Sequence, residues 1–301
     1  MKKIWLSMLA IAIAFVASTS IFAQEKASPT DVKHVVWIGS DGFGAHYVNW
    51  DSLPNLKKMK DAGAWSLHMR SVLPSASAIN WETQLTGAPS ESHGYRTWGS
   101  KVPDLPPVCL TENGRFPDIF YVLKKANPDC TTSVVFTWDG IGYLYDKSAL
   151  NSETNVETDD EALDAALKQL AENNTFTFIY FGEPDGIGHE FGWGSEQYLK
   201  GMSVIDERVG KILNYLEENG RMDDTVVLFT SDHGGTEKGH GDLKMEHMEA
   251  PLLFYGKNVK QGEITDVVVH YDVAATIAWL LGAKRPQAWR GLPVEAAFDV
   301  K

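Results

Sequence analysis

The stretch TSDHGGTEKGHGD (230–242) places one aspartate, two histidines and several glycines in a single short loop. Asp232, His233 and His240 are oxygen and nitrogen donors with no cysteine among them. Such a set suits a divalent metal ion, zinc best, with manganese or iron as substitutes. Asp41-Gly42 ends the apolar run VKHVVWIGS, and EPDGIGH presents Asp185 and His189 on one face of a helical turn. Singly, each of these is more often a cap, a turn or a salt-bridge partner. Jointly they furnish two sites: Asp185 and His189 with His240 for one ion, and Asp41, Asp232 and His233 for a second. Two ions about 4 Å apart clamp the attacking and departing oxygens of a phosphoryl or sulfuryl transfer. That chemistry needs a nucleophile. LPSASAINWETQLTG (73–87) offers Ser75, Ser77, Thr83 and Thr86 around the start of a helix-like segment, whose N-terminus favours an anion. Helix capping is the ordinary job of such hydroxyls, and spacing alone does not choose between Ser75 and Ser77.

The elements that must position these groups alternate along the chain. Strands are expected at 32–40, 131–138, 175–182, 225–231 and 251–256, and helices at 52–63, 116–127, 159–174, 195–220 and 270–282. Strands separated by helices imply an α/β three-layer sandwich around a mostly parallel sheet. In such sheets ligands bind beyond the carboxyl ends of the strands. Three expected strand ends carry the candidate donors: 41, 185–189 and 232–240.

The bulk composition sets the compartment and the partners. The chain has 301 residues, 44% hydrophobic and 22% charged, with a formal net charge of −13. That balance fits a globular protein and argues against nucleic-acid duplex binding. MKKIWLSMLAIAIAFVASTSIFAQ reads as a secretory signal peptide cleaved after Ala23, leaving 24–301 as a single catalytic domain with no membrane span. Export to the periplasm or the medium follows. Cys109 and Cys130 can pair or stay free, and two cysteines make no disulfide framework.

Asp-Gly near the N-terminus, P-S-x-S-x-x-N leading to LTG and ESHG, then EPDxxGH, then SDHGG with a downstream HG resemble the alkaline phosphatase superfamily in motif and order. The nucleotide pyrophosphatase/phosphodiesterase branch is the most similar, and YDVAATIAWLLG resembles its C-terminal helix. The resemblance implies an alkaline-phosphatase-like fold and two zinc ions, or manganese. Asp41, Ser77, Asp232 and His233 would hold one ion; Asp185, His189 and His240 would hold the other. His270 is the next candidate for the place of His240, and His93 of ESHG is structural. Ser77 would be the nucleophile, where relatives usually carry Thr, and attack on phosphorus would give a phosphoseryl intermediate that water hydrolyses. The implied substrate is a small phosphate ester, through type I phosphodiesterase or nucleotide pyrophosphatase activity. A phosphomonoesterase and a non-catalytic metal-binding relative are the alternatives. A sulfatase lacks support, because Ser77 is followed by Ala78, Ile79 and Asn80 rather than the x-P-x-R of that group. Asn80, Arg96 and Trp98 are expected to contact substrate. Trp98 stands where relatives carry a phosphate-binding Asn, and Ala78 where nucleotide-cleaving members carry a base-stacking aromatic.

Overall fold

The computed structural model describes residue 28 and residues 31–299; the expected signal peptide lies outside the described residues. In chain order the elements are β1 (His34–Ser40), α1 (Pro54–Ala62), β2 (Ala64–Arg70), α2 (Ser77–Thr86), α3 (Ser90–His93), α4 (Ile119–Ala126), β3 (Thr132–Phe136), β4 (Ser152–Asn155), α5 (Asp159–Ala171), β5 (Phe176–Phe181), α6 (Asp185–Phe191), α7 (Glu196–Glu218), β6 (Thr225–Thr230), α8 (Met245–Met248), β7 (Glu249–Gly256), β8 (Gly262–Glu263) and α9 (Asp272–Leu280). All ten expected elements form within a few residues of their expected ends. β2, β4 and β8 lie outside that expectation: β2 carries a register shift between Ser66 and Met69, and β8 has only two residues.

The strands join one sheet in the order β4-β3-β5-β1-β6-β7-β2-β8. β7 pairs antiparallel with β6 and β2, and the remaining pairings are parallel. The sheet therefore turns one carboxyl edge toward Asp41, Asp185 and Asp232, joined there by the amino end of β7. Alternation along β1 explains the two covered faces. Val35 and Trp37 face a core shared with α2, α4 and α9, while Val36 and Ile38 face a core shared with α1, α5 and α7. A strand buried on both faces is apolar throughout, which is how β1, β5 and β6 read.

Under the site lies an aromatic floor. Trp37 stacks on Phe178 with ring centroids 4.2 Å apart, and Trp81 meets Tyr180 edge-on at 5.3 Å. Pairs of this kind contribute about 1 kcal/mol beyond the area they bury. Gly39 makes room for that floor, since a Cβ there would stand 2.6 Å from the Trp81 ring. Both cysteines are free thiols, Cys109 exposed and Cys130 buried.

Candidate active site

Asp41 leaves β1 into a turn at Gly42, where a φ of 64° and the 2.8 Å at which a Cβ would stand from Asp185 Oδ1 both exclude a side chain. Trp193 Nε1 and the Tyr198 hydroxyl donate to the Gly42 carbonyl at 3.0 and 2.7 Å. The turn also hands over a donor: Gly42 N–H bonds Asp232 Oδ1 at 3.1 Å. Asp41 is held from behind, because Tyr180 OH (2.6 Å) and Trp81 Nε1 (2.9 Å) both donate to its Oδ2. Oδ1 is left facing Ser77 Oγ at 3.4 Å and His233 Nε2 at 3.5 Å.

Ser77 opens α2, and its Oγ also lies 3.4 Å from His233 Nε2. The structure thereby separates the two serines that spacing leaves equal. Ser75 is fully buried and its Oγ donates to the His247 carbonyl at 2.6 Å, so it is occupied elsewhere. Thr83 and Thr86 donate back to the Ile79 and Glu82 carbonyls within α2.

The remaining donors converge around Asp185. His233 Nε2 stands 3.2 Å from Asp232 Oδ2 and 3.9 Å from Asp185 Oδ1; His240 Nε2 is 3.9 Å from Asp185 Oδ1, and His189 Nε2 is 3.6 Å from Asp185 Oδ2. Asp185, His189 and His240 form one group of donor atoms within 4.8 Å of one another, and Asp41, Asp185 and His233 form a second. Asp185 thus belongs to both groups, where the sequence reading gives it to one. Asp232 adjoins the second through His233.

These residues fit divalent ions. Two ligand atoms bound tetrahedrally at about 2.1 Å stand roughly 3.4 Å apart, within the spread of separations found here. The three imidazoles are oriented alike: Nδ1 of His189, His233 and His240 faces the carbonyls of Lys238 (3.0 Å), Gly234 (3.0 Å) and Ser75 (2.8 Å). Each such contact puts the proton on Nδ1 and leaves the Nε2 lone pair directed into the site. Asp185 Oδ1 and Asp232 Oδ2 are buried without a hydrogen-bond partner among the described residues. Burial, and after it the charges of Asp41 and Glu183, push Asp185 up to about 9. Burial and then Asp41 push Asp232 well above the usual carboxylate range. Burial pulls His233 and His240 down to about 3, so both imidazoles are neutral near pH 7. Crowded carboxylates among neutral imidazoles require added positive charge before all can ionise. Cations held at the two groups would supply it.

His270 and His93 are not brought to either group. His270 is fully buried with Nδ1 3.0 Å from Asn80 Oδ1. His93 accepts the Tyr95 N–H at Nδ1 (3.2 Å) and contacts Thr83 Oγ1 through Nε2 at 3.0 Å. Asn80 departs from its expected role as a substrate contact. Its side chain is fully buried behind the site, where Oδ1 accepts from Val72 N at 2.8 Å and Nδ2 donates to the Val72, Pro74 and Ala76 carbonyls. An amide so occupied shapes the 72–76 loop instead. Arg96 and Trp98 do border the cleft, which has a volume of about 1150 Å³ and also takes in Trp138, Glu183 and Arg208. Trp98 is 68% exposed, and its carbonyl accepts the Ala78 N–H at 3.0 Å, which uses up one amide of the α2 N-terminus. Tyr180 and Trp81, the hydrogen-bond donors to Asp41, are not among the candidate site residues read from the sequence.

A mostly parallel sheet with two groups of metal-type donors and a serine at its carboxyl edge is the arrangement expected of the alkaline phosphatase superfamily. The sequence model of the type I phosphodiesterase / nucleotide pyrophosphatase family matches residues 35–252, and the chain belongs to that family. Among curated proteins it is 27% identical to ectonucleotide pyrophosphatase/phosphodiesterase family member 3 of Bos taurus, over 70% of this chain and 26% of that protein. It is 26% identical to the venom phosphodiesterase of Naja atra, over 68% of this chain and 26% of the relative. The chain thus spans about a quarter of the length of these relatives. The fold is similar to that of murine ectonucleotide pyrophosphatase/phosphodiesterase 5, solved as an inactive form in complex with AMP: TM-score 0.73 at 14% identity, covering 89% of this chain and 100% of the other. A 2-O GAG sulfatase shares the fold as well, with a TM-score of 0.72 at 13% identity, covering 87% of this chain and 73% of that one.

Proposed function

We propose that this protein is an exported, zinc-dependent hydrolase of small phosphate diesters, of the phosphodiesterase/nucleotide pyrophosphatase type, acting through Ser77. The observation that carries the reading is the placement of Ser77 Oγ, 3.4 Å from both Asp41 Oδ1 and His233 Nε2 and beside two groups of metal-type donors. Two divalent ions, when bound, supply the charge that neutralises the phosphoryl oxygens and acidifies serine and water. The chain does the rest. Ser77 Oγ gives up its proton to solvent and attacks phosphorus, the P–O bond to the leaving oxygen breaks, the departing alkoxide takes a proton from solvent to leave as the alcohol, and a phosphoseryl group forms. Water then attacks the same phosphorus, its oxygen stays on the released phosphate monoester, and a proton returns to Ser77 Oγ. Tyr180 and Trp81 keep Asp41 Oδ1 turned toward the reaction, and the helix N-terminus at Ser77 favours the anion. Asp and His donors favour zinc, with manganese as a substitute. The apolar leader at the N-terminus supports export, and among the described residues no helix is long and apolar enough to cross a membrane.

Arg96 supports a second reading, a phosphomonoesterase. It borders the same cleft as Ser77, with no ion pair to its guanidinium among the described residues, and an added cation suits a dianionic phosphate. Steady-state hydrolysis of p-nitrophenyl phosphate and bis-p-nitrophenyl phosphate by the zinc-loaded protein decides between them. A strong preference for the diester is expected, and a strong preference for the monoester moves the assignment to phosphatase. Ser77→Ala is expected to lower turnover of the preferred ester by about 10³-fold or more while the protein retains its metal. Turnover that survives the change removes Ser77 as nucleophile.

A further inference from the structure

The three ligating imidazoles share one tautomer, and a fourth histidine beside them has the opposite one. His247, at the end of α8, is 2% exposed. Its Nδ1 accepts the Asp242 N–H at 3.0 Å, so its proton sits on Nε2, which donates to Thr236 Oγ1 at 2.7 Å. Neither ring nitrogen is free for a metal. The two bonds grip the 234–242 loop on either side of His240. The His247 carbonyl adds two more ties, accepting from Gly234 N (3.0 Å) and Ser75 Oγ (2.6 Å).

What the grip controls is a ligand turn. Thr236 and Gly239 exchange backbone hydrogen bonds at 3.0 and 3.1 Å, which closes a tight turn. From that turn the Lys238 carbonyl orients His189, and just beyond it His240 is oriented by the Ser75 carbonyl. Ser75 is itself fixed by His247. The His247 imidazole thus holds Thr236 and Asp242, which flank His240 and the Lys238 carbonyl that orients His189, while Ser75 is held by the His247 backbone carbonyl. Asp41 and Asp232 follow directly from β1 and β6, and His233, oriented by the Gly234 carbonyl, is linked to His247 only through the backbone bond from Gly234 N to the His247 carbonyl, which no change of the imidazole removes.

We infer that the His247 imidazole is a positioning group that assembles the Asp185, His189 and His240 group, joining Thr236 to Asp242 without touching metal or substrate. The inference rests on the two-ion reading above. Its consequence is selective: loss of His247 weakens one ion and spares the other, because outer contacts that orient ligands typically govern metal affinity by about 10–100-fold.

Calorimetric titration of the metal-stripped full chain with Zn²⁺ tests this. The wild-type protein should take two equivalents. His247→Ala should keep one at wild-type affinity and bind the second about 10–100-fold more weakly. His247→Gln, whose amide can again donate to Thr236, should recover part of the loss. In a His240→Ala background the His247→Ala change should leave the affinity of the remaining equivalent unchanged, since both changes act on the other ion. Thr236→Val, which removes one hydroxyl, should weaken that same equivalent several-fold and decides the matter if His247→Ala fails to fold. Unchanged binding by these variants, or equal weakening of both equivalents, overturns the inference. Fewer than two equivalents in the wild type overturns the two-ion reading beneath it.

Discussion

The two halves of the metal-type site are built differently. Asp41, Asp232 and His233 have side chains exposed by 3%, 0% and 0%, and they stand directly at the ends of β1 and β6. Asp185, His189 and His240 are exposed by 21%, 46% and 10%, and they come from the short helix α6 and a loop. The first half inherits its geometry from the sheet, where adjacent parallel strands fix Cα positions through their ladder. The second is assembled by side-chain-to-carbonyl contacts between irregular segments. Loops held this way open at lower free-energy cost than strands of the core. The difference teaches that one ion is expected to be a tight, structural part of the centre, and the other an exchangeable one.

The largest expected effect breaks this contrast or sharpens it. Asp232→Ala and His189→Ala each remove one donor, and both should lower hydrolysis by more than the roughly 100-fold seen for outer-shell changes. Their metal contents should differ. His189→Ala keeps the tight ion and a thermal midpoint close to the wild type. Asp232→Ala loses the tight ion and the stability it lends, about 2.7 kcal/mol for a ligand present at 100 times its Kd. Metal analysis after gel filtration, with thermal melts on the same samples, gives the answer. Loss of the same ion in both variants would remove the division into a tight and an exchangeable half.

How legible each half was in the sequence follows the same line. Asp41, Asp232 and His233 stand at the ends of continuous apolar runs, so strand periodicity alone puts them at one sheet edge. Asp185 and His189 were legible through their helical spacing, although the sharing of Asp185 between both groups was not, since it arises from the close passage of Gly42. The tethers were hidden. Tyr180 lies in the aromatic run TFTFIYFG and Trp81 within α2, and each looks like core packing until the fold brings it to Asp41. Asn80 gave the opposite error, a polar residue near the nucleophile whose amide the backbone of residues 72–76 consumes. In the cleft wall Glu183 belongs to the EPDGIGH stretch, whereas Trp138 and Arg208 come from distant segments that no local pattern announces.

A smaller effect is expected at the tether of the tight half. Tyr180→Phe removes the 2.6 Å hydrogen bond to Asp41 Oδ2 and leaves Trp81 as the remaining side-chain donor to that oxygen. The ring stays packed, so the fold survives. Affinity for the tight ion should fall about tenfold, with little change at the exchangeable one. Competition with a chromophoric chelator measures both. An equal effect on the two ions would mean that Asp41 serves them alike, and the contrast between the halves would lose its structural basis.

The smallest effect concerns the packing behind the nucleophile, where His93 ties α3 to α2 through Thr83. Burial holds its imidazole down to about 3, against about 6.5 when exposed in the unfolded chain. Below pH 6.5 the unfolded chain therefore takes up a proton that the folded one refuses, and stability falls as the pH drops from 6.5 toward 3. The slope from this one residue approaches about 1.4 kcal/mol per pH unit. His93→Gln stays neutral throughout. It should be less stable than the wild type at pH 7 by about 1–3 kcal/mol, the cost of disturbing a buried hydrogen bond, and the gap should narrow by pH 5. Urea unfolding of the metal-stripped proteins at both pH values measures the gap without interference from metal release. Other buried histidines such as His270 remain in both proteins, so their share of the acid sensitivity cancels in the comparison. A gap that stays constant between pH 7 and 5 would mean that His93 titrates in the fold much as it does in water, and the packing behind α2 would then be far wetter than its complete burial implies.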